Sequence, residues 1–150
     1  MNPSDYTVLI VEDDPFDLKL IQRAIDKARI VNPVQSVEDG AAAIAYLTGE
    51  SPYENRAEYP LPVLILLDLK LPKKNGFEVL QRLRAQPGLS RVPVVVLTSS
   101  AETPGINKAY DLGANSYLVK PVDSDSLVDL LKTVKLYWLV TNTTPDLEAN

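Results

Sequence analysis

The chain has 150 residues, 45% of them hydrophobic, and Lys+Arg 15 against Asp+Glu 20 gives a net charge of -5. That size and balance fit one globular domain and disfavour non-specific attraction to nucleic acid or anionic lipid. With Cys 0 and His 0, disulfides, thiolate or imidazole metal sites and an internal phosphohistidine are excluded.

No apolar stretch approaches bilayer-spanning length, and Met1-Asn2-Pro3-Ser4-Asp5 lacks the regions of a signal peptide, so cytoplasmic residence without a membrane partner is expected. Strand and helix patterns then alternate five times along the chain. Val8-Leu9-Ile10-Val11 is an unbroken apolar run that enters Glu12-Asp13-Asp14. Pro15 suits a first helical turn, and Ile21, Ala24, Ile25 and Ala28 share one helical face. Val34 to Val37 reads as a weaker second strand, followed by Asp39 as an N-cap and an Ala-rich helix to about Leu47 that Gly49 closes. Glu50 to Pro62, with Pro52, Pro60 and Pro62, is polar and turn-rich and reads as a surface loop. A third run, Val63-Leu64-Ile65-Leu66-Leu67, ends at Asp68. Gly76 to Gln86 carries Phe77, Leu80 and Leu83 at helical spacing until Pro87-Gly88 stops it. Val94-Val95-Val96-Leu97 leads into Thr98, and Pro104 to Leu112 forms a shorter helix ending at Gly113. Tyr117-Leu118-Val119 leads into Lys120-Pro121, and Asp123 or Asp125 caps a fifth helix to about Val140. Thr141 to Asn150 reads as a polar tail, giving one domain over 1–150 with its core at about 6–140.

Short continuous Val/Ile/Leu runs read as strands buried on both faces, the mark of a parallel sheet covered by helices. In such an open α/β sheet, ligands bind outside the carboxyl ends of the strands. Four of the runs end in residues of complementary chemistry: Glu12-Asp13, Asp68, Thr98 and Lys120. Singly, each has a bland reading as a cap, turn residue or surface charge, and Asp14 is best read as a helix cap. Together they suit an aspartate that accepts a phosphoryl group beside a divalent cation. An aspartate is a poor nucleophile towards an anion, so neutralising charge must be in place. Mg²⁺ supplies it through oxygen ligands. Asp13 is the leading ligand, Glu12 acts directly or through water, and Asp68 is both ligand and acceptor. Lys120 is expected to neutralise one phosphoryl oxygen and the Thr98 hydroxyl to bond another.

These residues, with Leu67-Asp68-Leu69-Lys70-Leu71-Pro72 and Asn75-Gly76, resemble the receiver domains of two-component response regulators from about Tyr6 to Val140. The resemblance implies a flavodoxin-like sheet of strand order 2-1-3-4-5 and phosphotransfer from a histidine kinase to Asp68. It also implies the Lys70 main-chain carbonyl as a metal ligand, with Thr98 and Tyr117 as switch hydroxyl and switch aromatic. Tyr53-Glu54-Asn55-Arg56, the segments around Asp68 and Thr98, and Tyr137-Trp138-Leu139 resemble small response regulators serving cyanobacterial phytochromes. That narrower resemblance implies a light-regulated kinase as donor.

No helix-turn-helix or catalytic output domain is expected after Lys120-Pro121, and an unknown downstream protein is expected to read a surface. Leu127, Leu131, Val134 and Trp138 form one apolar stripe, and the surplus Val128, Leu130, Leu136, Tyr137 and Val140 leaves two readings, a partner face or a wide core face with scattered exposed apolar residues. In the resembling family that face, on the fourth and fifth helices, commonly forms homodimers. The protein is thus expected to catalyse only its own phosphotransfer and dephosphorylation. A non-phosphorylated scaffold and a metal-dependent aspartyl phosphatase are the alternatives. The phosphatase pattern wants a second aspartate where Lys70 stands.

Overall fold

The computed structural model describes residues 6–147. Five strands, β1 (Val8–Val11), β2 (Val34–Val37), β3 (Leu64–Leu67), β4 (Val94–Thr98) and β5 (Ser116–Val119), form one parallel sheet of order 2-1-3-4-5. Helices α1 (Pro15–Lys27), α2 (Gly40–Thr48), α3 (Gly76–Arg84), α4 (Thr103–Asp111) and α5 (Ser124–Val134) alternate with them. The flavodoxin-like arrangement expected from the sequence is therefore the one observed.

Side chains alternate across each strand, so a strand buried on both faces must be apolar at every position. Leu9, Val11, Ile65, Leu67, Val94 and Val96 face α2 and α3, where Ala43, Leu47, Val79, Leu80 and Leu83 close one core. Val8, Ile10, Leu64, Leu66, Val95 and Leu97 face α1 and α5, against Ile21, Ile25, Leu127, Leu131 and Val134. β1 sits between β2 and β3, so the chain leaves it in opposite directions across the sheet at that point. This reversal opens a crevice at the carboxyl ends of β1 and β3. Register brings those ends level: Val11 pairs with Leu67, Leu67 with Val96, and Thr98 with Val119.

Helix starts follow local chemistry. Asp14, Asp39, Asn75 and Asp123 cap α1, α2, α3 and α5 through their side chains, and Asn75 forms a reciprocal capping box with Glu78. The bland reading of Asp14 holds, and of the two candidates Asp123 and Asp125 it is Asp123 that caps α5. Some boundaries move: α3 ends at Arg84 and α4 runs from Thr103 to Asp111. The α5 pattern stays helical beyond Val134 but changes pitch, becoming a π-helix over Lys135–Thr141. The wider turn leaves Leu136, Tyr137 and Val140 exposed while Trp138 and Leu139 pack on the core.

Two segments expected to be loosely polar are tied down. In the loop after α2, Tyr53 and Tyr59 pack their rings on Tyr46. Arg56 donates to the Tyr46, Leu47 and Tyr59 carbonyls, closing the α2 end. Beyond the π-helix, Leu147 packs on the α2/α3 core and the Asp146 carbonyl accepts from Arg91. Asn150, the end of the expected tail, lies outside the described residues. Among those residues no helix is long and apolar enough to cross a membrane.

Candidate functional site

The β1 run ends by turning Glu12 inward and Asp13 outward. Glu12 is 2% exposed, its backbone N–H bonds the Val37 carbonyl, and its Oε2 accepts from Asp14 N at 3.2 Å. Asp13 is exposed. Asp68, one residue past β3, is 8% exposed and is fixed to β1 by its N–H to the Val11 carbonyl. Its Oδ1 accepts from Lys70 N at 3.2 Å. The following loop returns closely: Gly76 N bonds the Leu69 carbonyl, and a Cβ on Gly76 would lie 2.6 Å from the Asp68 carbonyl oxygen. Glycine there lets α3 start directly under the acidic site.

Glu12, Asp13 and Asp68 each present a carboxylate oxygen, all within 4.8 Å of one another. Three hard anionic donors at the mouth of the crevice suit a small divalent cation that keeps water in its remaining positions. Lys120 enters from β5, its backbone N–H on the Thr98 carbonyl. Its ammonium makes a very short contact with Glu12 Oε1 and reaches Asp17 Oδ2 at 3.1 Å and Asp68 Oδ2 at 3.2 Å.

Burial is the largest influence on Glu12 and raises its pKa to about 7, with the Asp68 charge adding to the rise and Lys120 opposing it. Burial by itself would lower the Lys120 pKa, but the bond to Glu12 and the charges of Asp68 and Glu12 outweigh it and hold the ammonium above its ordinary range.

Thr98 is fully buried, and among the described residues its Oγ1 has no hydrogen-bond partner. A buried hydroxyl left unpaired is costly, which sets Thr98 apart from the paired polar groups around it. Half-buried Tyr117 donates from its hydroxyl to the Ser100 carbonyl at 2.7 Å, which ties β5 to the loop after β4. Lys70 is exposed.

All the sequence-expected residues thus lie at one edge. Glu12, Asp13, Asp68 and Lys120 converge through their charged groups, Lys70 through its amide on Asp68, while Thr98 and Tyr117 stand along the β4–β5 side. One partner was missed. Asp17, in the first turn of α1, is a third carboxylate on Lys120. No local pattern in the sequence signals it, since its aim follows from the phase that the Asp14 cap sets for α1.

The chain belongs to the response regulator receiver domain family, whose model matches residues 8–132. Over 138 residues it is 40% identical to response regulator Rcp1 of Synechocystis sp. (strain ATCC 27184 / PCC 6803 / Kazusa), covering 92% of each chain. Its structure is similar to that of the phosphorylated cyanobacterial phytochrome response regulator RcpA, with a TM-score of 0.87 and 40% identity over 94% of this chain and 99% of that one. The Mn(2+)-bound form of Rcp1 gives a TM-score of 0.84 at 39% identity, over 93% and 99%. The protein is a receiver-domain response regulator related to Rcp1 and RcpA, and hence a signalling protein.

Proposed function

We propose that Asp68 accepts a phosphoryl group from the phosphohistidine of a histidine kinase, with Mg²⁺ held by Glu12, Asp13, Asp68 and the Lys70 carbonyl. An Asp68 carboxylate oxygen bonds phosphorus, the donor's P–N bond breaks, and the imidazole nitrogen keeps the electron pair. The observation that carries this reading is the approach of three carboxylate oxygens within 4.8 Å, with Lys120 bridging Glu12 and Asp68. Bound there, Mg²⁺ supplies positive charge for the approach of one anion to another. Lys120 then takes one phosphoryl oxygen, and the unpartnered Thr98 hydroxyl takes another. Movement of Thr98 gives Tyr117 room to leave Ser100, so the loop after β4 is the two-state element.

The similarity to a phytochrome response regulator supports a phytochrome-type kinase as donor. Exposed Phe16, in the first turn of α1, and Val122, shortly after β5, leave apolar surface near the acidic edge for that kinase. Output passes through a protein surface, and exposed Tyr110, Val119, Leu136, Tyr137 and Val140 support a homodimer through α4 and α5. Sedimentation of wild type against Tyr137→Glu tests that interface.

Mass spectrometry with a small phosphodonor and Mg²⁺ tests the chemistry. A base-labile phosphoryl adduct on wild type that is absent from Asp68→Asn is expected. No adduct would favour a scaffold, and turnover of added phosphoesters a phosphatase.

A further inference from the structure

Lys120 has three carboxylates for one ammonium, and they are not equivalent. Glu12 and Asp68 also belong to the cluster suited to a cation. On phosphorylation Asp68 becomes an acyl phosphate and gives up one carboxylate oxygen. Asp17 has no such second duty. It stands outside the cluster, yet its Oδ2 is as near to the ammonium as Asp68 is, at 3.1 Å against 3.2 Å. Its backbone is also held, since Asp17 N donates to the α1 cap Asp14 at 3.3 Å. The carboxylate is therefore presented by a capped helix end.

A lysine ammonium has three donors on a flexible four-carbon stem, so without an anchor it spends its time away from any one acceptor. Three donors are enough to serve Asp17 and a phosphoryl oxygen together. We propose that Asp17 is a positioning residue for phosphotransfer: it holds the Lys120 ammonium over the acidic edge while Glu12 and Asp68 are engaged elsewhere. The proposal rests on the reading of Asp68 as phosphoryl acceptor.

The test uses the full chain with acetyl phosphate and saturating Mg²⁺. The Asp68 oxygen bonds phosphorus and acetate leaves with the electron pair. Asp17→Asn is expected to slow phosphorylation at least roughly fivefold, and Asp17→Glu to recover most of the rate. Asp17→Ser, a second variant in case the first misfolds, should match Asp17→Asn. In a Lys120→Met background, Asp17→Asn should change the remaining rate less than roughly twofold, because its effect runs through the ammonium. Two further readouts do not depend on turnover. Mg²⁺ affinity read from thermal melts should stay within roughly twofold of wild type. Exchange of the Lys120 ammonium protons with water, followed by NMR in the Mg²⁺-loaded protein, should quicken at least roughly threefold in Asp17→Asn.

A wild-type or faster rate in Asp17→Asn, equal slowing without Lys120, or unchanged ammonium exchange would overturn the proposal. So would a loss of Mg²⁺ affinity as large as that of Asp13→Asn, which would make Asp17 a ligand. If wild type takes no phosphoryl group, the reading of Asp68 falls and this proposal with it; if wild type is phosphorylated and Asp17→Asn matches it, only this proposal falls.

Discussion

Lys120 and Arg84 are cations drawn into the protein at opposite edges of the same sheet, and their partners differ in kind. Arg84, at the end of α3, donates to the carbonyls of Gly113, Ser90 and Val92 and to Asn115 Oδ1, at 2.7 to 3.0 Å. Asn115 Oδ1 in turn accepts from Val94 N. These neutral acceptors belong to the entries of β4 and β5, and burial lowers the Arg84 pKa without a carboxylate to offset it. Among the described residues, Lys120 has only carboxylates on its ammonium. A guanidinium on backbone carbonyls is a fixed staple, because its acceptors cannot leave without unfolding. An ammonium shared by carboxylates can change acceptor when another anion or cation arrives. One edge of the sheet holds the strands together, and the other can rearrange.

The largest effect should come from removing the staple. Arg84→Ala strands several carbonyls and should cost about 4 kcal/mol of stability in urea unfolding. Phosphorylation per folded molecule should stay near wild type, and a selective loss of phosphorylation would erase the contrast between the edges.

Next comes the pH dependence of the carboxylate edge. The Glu12 pKa rises on folding from its ordinary 4.5 to about 7. A raised folded-state value contributes stability that is full below 4.5 and is lost as pH rises through about 7. Lys120, also raised, contributes below its ordinary range and loses that contribution only in strong alkali, outside this window. Metal-free protein should therefore lose up to about 3 kcal/mol between pH 4.5 and 7.5 from Glu12. Glu12→Gln should flatten the curve; an unchanged slope would place the effect elsewhere.

Magnesium should reverse that loss, since a cation that binds the folded state alone adds about 2.7 kcal/mol at a hundredfold excess over its Kd. Thermal melts should rise with Mg²⁺ in wild type and rise less in Asp13→Asn. Equal rises would indicate a general ionic effect.

The edges also differ in how far they could be read from sequence. Asp68 and Thr98 were legible because buried strands must be apolar at every position, so the first polar residue marks a strand end, and Lys120 stands out in the same way after the apolar Tyr117-Leu118-Val119 of the edge strand β5. Strand register then brings such ends together. Asp17 was not legible as a partner of Lys120, because its aim depends on the phase of α1 set by the Asp14 cap. The loop from Glu50 to Pro62 looked like solvated turns, since the packing of Tyr53 and Tyr59 on Tyr46 and the reach of Arg56 are tertiary contacts with no local period. Likewise, the 3.6-residue pattern ran on to Val140 and did not reveal the change of pitch at Lys135.

The smallest expected effect concerns phosphoryl lifetime. Exposed Lys70 lies two residues past the acceptor and can lie over the phosphoryl group, while Ser100 offers no carboxylate or amide to orient a water. Hydrolysis needs an in-line water that is held. Lys70→Asn with Ser100→Glu should speed dephosphorylation about tenfold, or about 1.4 kcal/mol in the barrier. Single-turnover decay in excess Mg²⁺ measures it, and matching rates would remove both side chains from the mechanism.

The exchangeable cation is tested most directly by a crystal structure with Mg²⁺ and beryllofluoride on Asp68, the fluoride standing in for the phosphoryl oxygens. The account predicts Lys120 Nζ on a fluorine and off Asp68 Oδ2, Thr98 Oγ1 bonded to another fluorine, and every Arg84 bond in place. Lys120 still seated on Asp68, with Thr98 unpartnered, would contradict it.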